Sequence, residues 1–324
     1  MRVGFAHRRS AFVVAVAFWI VFLASVPAAL AESFDRMVIF GDSLSDPGNH
    51  YVAFGMTSQA PFVPLPDFPY AIGGHHFSNG ETWAEQLSHA LGMPKSGKPA
   101  LREPGVFTNY AVGRARARAG AEAFPDFDLS TQVRQFLTDF RGHAPADALY
   151  VIWIGSNDLD DALIAGMTDP ARAADIIRAA VTAQAANVYA LWAGGARHFM
   201  ILNLPDPALA PFVRGLGPGV QAAATQVGML YNAALDEALM QVSGLPGLQL
   251  TRFDVAAVFD HVVATQGAGG VTNVTGPCLS FGVVVHAVCK HPNRYLFWDG
   301  AHPTKAGHRL IAEAALRLFD DDAE

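Results

Sequence analysis

The chain has 324 residues and a net charge of −7 at neutral pH, with 29 acidic and 22 basic side chains. Hydrophobic residues make up 51% and charged residues 16%, while 30 glycines and 20 prolines are spread without period, which excludes disordered, coiled-coil and collagen-like chains. The acidic balance argues against a nucleic-acid partner, and two cysteines exclude a disulfide-dense scaffold and a four-cysteine zinc site.

The N-terminal 31 residues have the pattern of a signal peptide. Basic residues precede an uncharged, mostly apolar stretch at residues 11–26, and Ala29-Leu30-Ala31 is typical of a signal-peptidase site before Glu32. An uncleaved membrane anchor is the alternative, although the apolar stretch is near the short limit for crossing a bilayer. We therefore expect residues 1–31 to be a signal peptide of an exported protein, periplasmic or secreted. No stable membrane span would remain after cleavage, and residues 32–324 would form a single domain.

Export bears on the two cysteines, because an exported protein folds in an oxidising compartment. Cys278 and Cys289 lie eleven residues apart in a segment rich in glycine and valine. This arrangement favours a local disulfide, and two buried thiols are the alternative.

Five short apolar runs, each ended by turn residues, predict β-strands at residues 36–41, 107–113, 148–155, 197–203 and 248–254. Three of them are almost unbroken apolar stretches, which is typical of strands buried on both faces of a parallel sheet.

Helical patterns alternate with these strands, at residues 81–91, 130–140, 219–242 and 305–319. A further helix begins at Pro170, behind the N-cap residue Asp169, and runs to Gly194-Gly195. Alternation of strands and helices predicts a three-layer α/β/α sandwich with right-handed crossovers.

The residues that follow the predicted strands carry the chemistry, because the active crevice of an open parallel sheet lies beyond the carboxyl ends of its strands. Ser43 follows the first strand, Gly113-Arg114 end the second, and Asn157 follows the third. Ser43 is a candidate nucleophile, although a lone serine in this position is more often a helix N-cap. The side-chain amide of Asn157 is a candidate oxyanion donor or the start of an Asx-turn. The backbone N–H groups of Ser43 and of the Gly113-Arg114 turn would complete the oxyanion hole.

A carboxylate and a histidine stand three residues apart near the C-terminus, at Asp299 and His302. At this spacing Asp299 can reach Nδ1 of His302 and fix its tautomer, so that Nε2 accepts a proton from Ser43. The alternative is a capping aspartate beside a surface histidine.

Together these segments resemble the GDSL esterase/lipase family of the SGNH hydrolases. The blocks FGDSLSDPGN at residues 40–49, GSND at 155–158 and WDGAHPT at 298–304 are similar to the family's first, third and last blocks. The resemblance implies a flavodoxin-like, five-stranded parallel sheet and ester hydrolysis through an acyl-enzyme. It also implies catalytic roles for Ser43, Asp299 and His302, with no metal or other cofactor.

The second block, NYAVGRA at residues 109–115, departs from the family pattern, because Arg114 stands where a second glycine is usual. Since the donor there is a backbone N–H, either Gly113 or Arg114 is a candidate to supply it. Arg114, together with Arg116 and Arg118, could bind an anionic substrate group or form a solvated loop face.

The sequence therefore predicts an exported serine hydrolase that cleaves a small-molecule, lipid or glycan ester. An acyltransferase using the same site is the first alternative, and a non-catalytic module that binds lipid or carbohydrate is the second. The oligomeric state is left open.

Overall fold

A computed structural model describes Met1 and residues 34–55, 73–120, 127–281 and 286–320. The predicted signal peptide lies, apart from Met1, outside the described residues. The strands are β1 (Arg36–Gly41), β2 (Ala148–Trp153), β3 (His198–Leu202), β4 (Gln249–Phe253), β5 (Asn273–Pro277) and β6 (Tyr295–Phe297). The helices are α1 (Asn49–Phe54), α2 (Trp83–Ala90), α3 (Leu129–Asp139), α4 (Ser156–Gly166), α5 (Pro170–Ala193), α6 (Pro211–Gly215), α7 (Pro218–Ser243), α8 (Val255–Ala264) and α9 (Lys305–Asp320).

The main sheet consists of β1, β2, β3 and β4 in that order, and all its strand pairs are parallel. The pairing of β1 with β2 runs in register from Arg36 opposite Ala148 to Gly41 opposite Trp153. Because both strands end at the same edge, the residues that follow Gly41 and Trp153 lie side by side. The α/β class and the parallel sheet predicted from the sequence are confirmed.

The predicted strand at residues 107–113 is not a regular strand, although it lies where a fifth strand would. It runs parallel to β1, with hydrogen bonds from the Tyr110 N–H to the Ile39 carbonyl and from the Val112 N–H to the Gly41 carbonyl. The ladder is interrupted because the Gly41 N–H donates to the side chain of Gln132 instead. The sheet therefore has four regular strands and an irregular parallel edge.

Helices cover both faces of the sheet. Side chains alternate along a strand, so Tyr150 and Trp153 of β2 point to opposite faces. Tyr150 makes an edge-to-face contact with Phe136 of α3, and Trp153 makes one with Trp83 of α2. All six residues of β2 are buried, as a strand covered on both sides requires. These contacts give the three layers that the sequence predicted.

Helix boundaries follow the capping residues. The Asp169 side chain caps α5 at the Arg172 N–H, with Pro170 as the first helical residue, as predicted. The helix predicted at residues 81–91 begins instead at Trp83, because Thr82 and Glu85 form a reciprocal capping box.

The turn between β2 and α4 requires glycine at position 155. Gly155 has φ 128°, and a Cβ there would lie 1.9 Å from the hydroxyl oxygen of Tyr231. We expect Gly155→Ala to lower the free energy of unfolding by about 2–4 kcal/mol in urea titrations. The control is Gly219→Ala in the exposed first turn of α7, where no atom lies within 4 Å of the added Cβ. That change should raise stability by about 0.5 kcal/mol, and an equal response of the two variants would contradict the steric argument.

Candidate active site

Ser43 lies two residues beyond the end of β1, on a tight turn at the carboxyl edge of the sheet. The turn is held by Asp42, which accepts hydrogen bonds from the Leu44 N–H through its side chain and from the Ser45 N–H through its carbonyl. Glycine at position 41 allows the start of this turn to lie close to β2, because a Cβ there would be 2.6 Å from the Trp153 carbonyl oxygen. The serine is 8% exposed and lines a cavity.

Asp299 and His302 lie on the loop that follows β6. This loop is closed by a hydrogen bond from the Trp298 N–H to the His302 carbonyl, and the Asp299 carboxylate accepts the N–H groups of Ala301 and His302. The predicted disulfide is present, because Cys278 and Cys289 are bonded beside this loop. Cys278 also donates its N–H to the Phe297 carbonyl, which ties the bridged segment to β6.

The structure brings Ser43, His302 and Asp299 into one hydrogen-bonded chain. Nε2 of His302 lies 2.8 Å from Oγ of Ser43, and Nδ1 of His302 lies 2.8 Å from Oδ2 of Asp299. The segments that meet here are 259 residues apart in the sequence.

Burial and charge have opposite effects on the pKa values of His302 and Asp299. Burial by itself would lower the pKa of His302, but the adjacent Asp299 carboxylate raises that pKa above the ordinary value of 6.5. Burial would likewise raise the pKa of Asp299, yet His302 and two backbone N–H groups hold it below its usual range. Asp299 is therefore ionised at neutral pH and stabilises a protonated His302.

Asn157 lies in the first turn of α4 and lines the same cavity as Ser43. Its side-chain amide donates one hydrogen bond to the Ala115 carbonyl at 2.8 Å, which fixes the orientation of the amide group. An amide carries two N–H bonds, so this contact leaves a second donor. The start of α4 also contributes the positive end of its helix dipole.

The Gly113-Arg114 turn is held by the loop after Ser43. The Gly113 N–H donates to Oδ2 of Asp46 at 2.7 Å, and Nδ1 of His50 lies 3.1 Å from the Gly113 carbonyl oxygen. Arg114 adopts φ 69°, a left-handed conformation that glycine reaches at lower cost. The arginine thus occupies the conformation that the usual glycine of this block would take.

Asp46 and His50 adjoin the site, and the sequence patterns did not indicate them. Asp46 also accepts the N–H groups of Gly48, Asn49 and His50, and burial raises its pKa to about 6. Burial lowers the pKa of His50 to about 4, so His50 is neutral and donates Nδ1–H to the Gly113 carbonyl. The available signal was their position close to Ser43, Asp46 within the first block and His50 directly after it.

Two of the three neighbouring arginines are engaged in ion pairs with α4. Nε of Arg116 lies 2.6 Å from Asp161, and Arg118 bridges Asp158 and Asp161. Neither guanidinium group lines the cavity beside Ser43. The interpretation of these two arginines as ligands of an anionic substrate is therefore not supported.

The cavity beside Ser43 has a volume of about 420 Å³, within the range of small-molecule sites. Aliphatic and aromatic side chains form most of its wall, including Trp153, Leu204, Phe212, Phe259 and Phe297. It is therefore suited to an apolar group held next to the Ser43 hydroxyl.

Comparisons with known proteins agree with this geometry. Residues 37–315 match the family described as GDSL-like Lipase/Acylhydrolase. The thermolabile hemolysin of Vibrio parahaemolyticus is 28% identical over 309 residues, an alignment that covers 90% of this chain and 66% of the hemolysin. Two Arabidopsis thaliana proteins, GDSL esterase/lipase At1g74460 and GDSL esterase/lipase 5, are each 26% identical. Those alignments cover 87% and 85% of this chain, and 86% and 80% of the relatives.

The family match extends from β1 to α9 and therefore includes every strand and loop that contributes a residue to the site. The serine, asparagine, aspartate and histidine of the three sequence blocks all fall inside it. The chain therefore belongs to the GDSL-like lipase/acylhydrolase family of ester-hydrolysing enzymes.

Proposed function

We propose that the protein hydrolyses carboxylic esters through a covalent acyl-enzyme formed on Ser43. The observation that supports this proposal is the hydrogen-bonded chain from Ser43 through His302 to Asp299, which opens onto an apolar cavity. A nucleophile, a base and a group that orients the base are the three parts that acyl transfer requires.

In the proposed reaction, Oγ of Ser43 attacks the ester carbonyl carbon while Nε2 of His302 accepts the hydroxyl proton. The protonated His302 then gives this proton to the departing alcohol, and the acyl group remains on Ser43. A water molecule, deprotonated by His302, next attacks the acyl-enzyme and releases the carboxylic acid. Asp299 stays ionised throughout and stabilises the imidazolium form of His302.

The proposed oxyanion hole combines the Asn157 side chain with the backbone N–H groups of Ser43 and Arg114. The two residues of the second block are no longer equivalent candidates, because the Gly113 N–H donates to the Asp46 carboxylate. We therefore assign the donor to Arg114, whose side chain takes no part in this role. The bonds of Asp46 and His50 to Gly113 would position this donor.

Export is part of the proposal. The disulfide between Cys278 and Cys289 is consistent with an oxidising compartment, where such bonds persist. Among the residues that the structure describes, no helix is both long and apolar enough to cross a membrane.

Replacing Ser43 tests the nucleophile directly. We expect Ser43→Ala to lower kcat for 4-nitrophenyl butyrate by at least about 10³-fold and to abolish labelling by a fluorophosphonate in intact-mass spectra. Ser243→Ala, at the exposed end of α7, is the control and should retain both ester turnover and fluorophosphonate labelling. Turnover in Ser43→Ala equal to that of the parent would refute the mechanism. Labelling of Ser43 without free acid, but with acylated alcohol when glycerol is added, would instead identify a transferase.

The pH dependence follows from His302, which must be neutral to accept the serine proton. Because Asp299 raises the pKa of His302 above 6.5, kcat/KM should fall as the pH drops through a value above 6.5 and level off at higher pH. Asp299→Asn should lower kcat by about 10³- to 10⁴-fold and move the residual midpoint to lower pH. A kcat/KM that decreases as the pH rises from 6 to 8 would contradict this assignment, provided circular dichroism shows folded protein throughout.

The two kinds of oxyanion donor respond differently to side-chain replacement. Asn157→Ala removes a side-chain donor and should lower kcat by about 10²- to 10³-fold with a smaller effect on KM. Arg114→Gly keeps the backbone N–H and relieves the left-handed conformation, so kcat should stay within about threefold and stability should rise by up to about 1 kcal/mol. A loss of kcat in Arg114→Gly as large as that in Asn157→Ala would assign catalysis to the guanidinium group.

A further inference from the structure

Among the described residues of the cavity wall, all charges have one sign once Asp299 and His302 are set aside. Apart from Asp299 and His302, the charged residues that line it are Asp160 and Asp206, and no lysine or arginine is among the described lining residues. The Asp206 carboxylate is already hydrogen-bonded within the protein, since it accepts hydrogen bonds from the Ala208 N–H and the Thr225 hydroxyl. Asp160 is the remaining carboxylate on this wall.

Asp160 lies on α4 three residues beyond Asn157, and therefore on the same helix face. Desolvation by the surrounding protein and the neighbouring Asp161 raise the pKa of Asp160, although the residue is exposed, while Arg116 and His302 oppose that rise. The Arg116 guanidinium is itself paired with Asp161 at 2.6 Å, which limits how far it neutralises Asp160. At a pH above the titration of His302, its imidazole is charged only transiently in the proposed reaction.

Four phenylalanines share the cavity with Asp160, and their ring faces attract cations. The four residues are Phe212, Phe259, Phe281 and Phe297. A carboxylate and aromatic rings on the wall of one cavity favour a quaternary ammonium group, which is large, weakly hydrated and positively charged. A carboxylate on the substrate would lose hydration at this wall and be repelled by Asp160.

We propose that this cavity selects esters whose acyl chain is cationic or uncharged, that it rejects anionic acyl chains, and that Asp160 is the specificity-determining residue. The proposal rests on the proposed ester hydrolysis, since it assigns the substrate class of the same site. It assigns the selectivity to a carboxylate of α4 and not to Arg114, Arg116 or Arg118.

The test compares three 4-nitrophenyl esters that release the same alcohol. They are the esters of 4-(trimethylammonio)butyrate, of its uncharged isostere 5,5-dimethylhexanoate and of glutarate. At low salt, and at a pH above the titration of His302, kcat/KM should be at least about tenfold higher for the cationic ester than for the glutarate ester. Added salt should reduce this ratio, because Asp160 is exposed to solvent.

Variants distinguish the effect of the Asp160 carboxylate from the effect of the protein's net charge. Asp160→Asn should reduce the cation-to-anion ratio about three- to tenfold, and Asp160→Glu should retain it. Asp175→Asn removes the same charge from the exposed surface of α5 and should leave the ratio unchanged. A parent ratio near one, or a ratio that Asp160→Asn does not alter, would overturn the proposal.

A binding measurement makes the result independent of turnover. Isothermal titration with hexyltrimethylammonium and with hexanoate should show tighter binding of the cation by the parent and a smaller difference in Asp160→Asn. Equal binding of the two probes by the parent would refute the charge selection even if all esters are hydrolysed. Conversely, cation-selective binding without hydrolysis of any ester would refute the proposed function and leave the selection in place.

Discussion

The parallel pairing of β1 with β2 is the constraint on which the site depends. It brings both strands to the same edge of the sheet, so Ser43 after β1 and Asn157 after β2 become neighbours. The ends of β1 and β2 lie close together, because a Cβ on Gly41 would be 2.6 Å from the Trp153 carbonyl oxygen. A buried parallel pair has little freedom to shift, so Ser43 and Asn157 keep a fixed separation.

Two buried carboxylates near this edge have different surroundings and, in our proposal, different tasks. Asp46 accepts four backbone N–H groups, yet burial still raises its pKa to about 6. Asp299 has His302 beside it, and its pKa lies below the usual range. Hydrogen-bond donors orient a chain segment around Asp46, whereas a titrating partner allows Asp299 to stabilise charge during the reaction.

The second block shows how one structure can accept an unusual residue. The Gly113 N–H and carbonyl are held by Asp46 and His50, and the next residue, Arg114, has a left-handed backbone conformation. Arg114 takes that conformation at a cost that the surrounding hydrogen bonds offset. Two residues further on, Arg116 forms an ion pair with Asp161 of α4.

The sequence by itself determined the α/β class, four of the main-sheet strands to within one or two residues, and the residues that meet beside the cavity. It could do so because hydrophobic periodicity, capping residues and short motifs are local features. Only the tertiary structure decided that 107–113 is an irregular edge, that Gly113 is engaged by Asp46, and that Asp161 and Asp158 pair with arginines while Asp160 faces the cavity. These outcomes depend on hydrogen bonds and ion pairs between distant segments, and a local pattern contains no information about such partners.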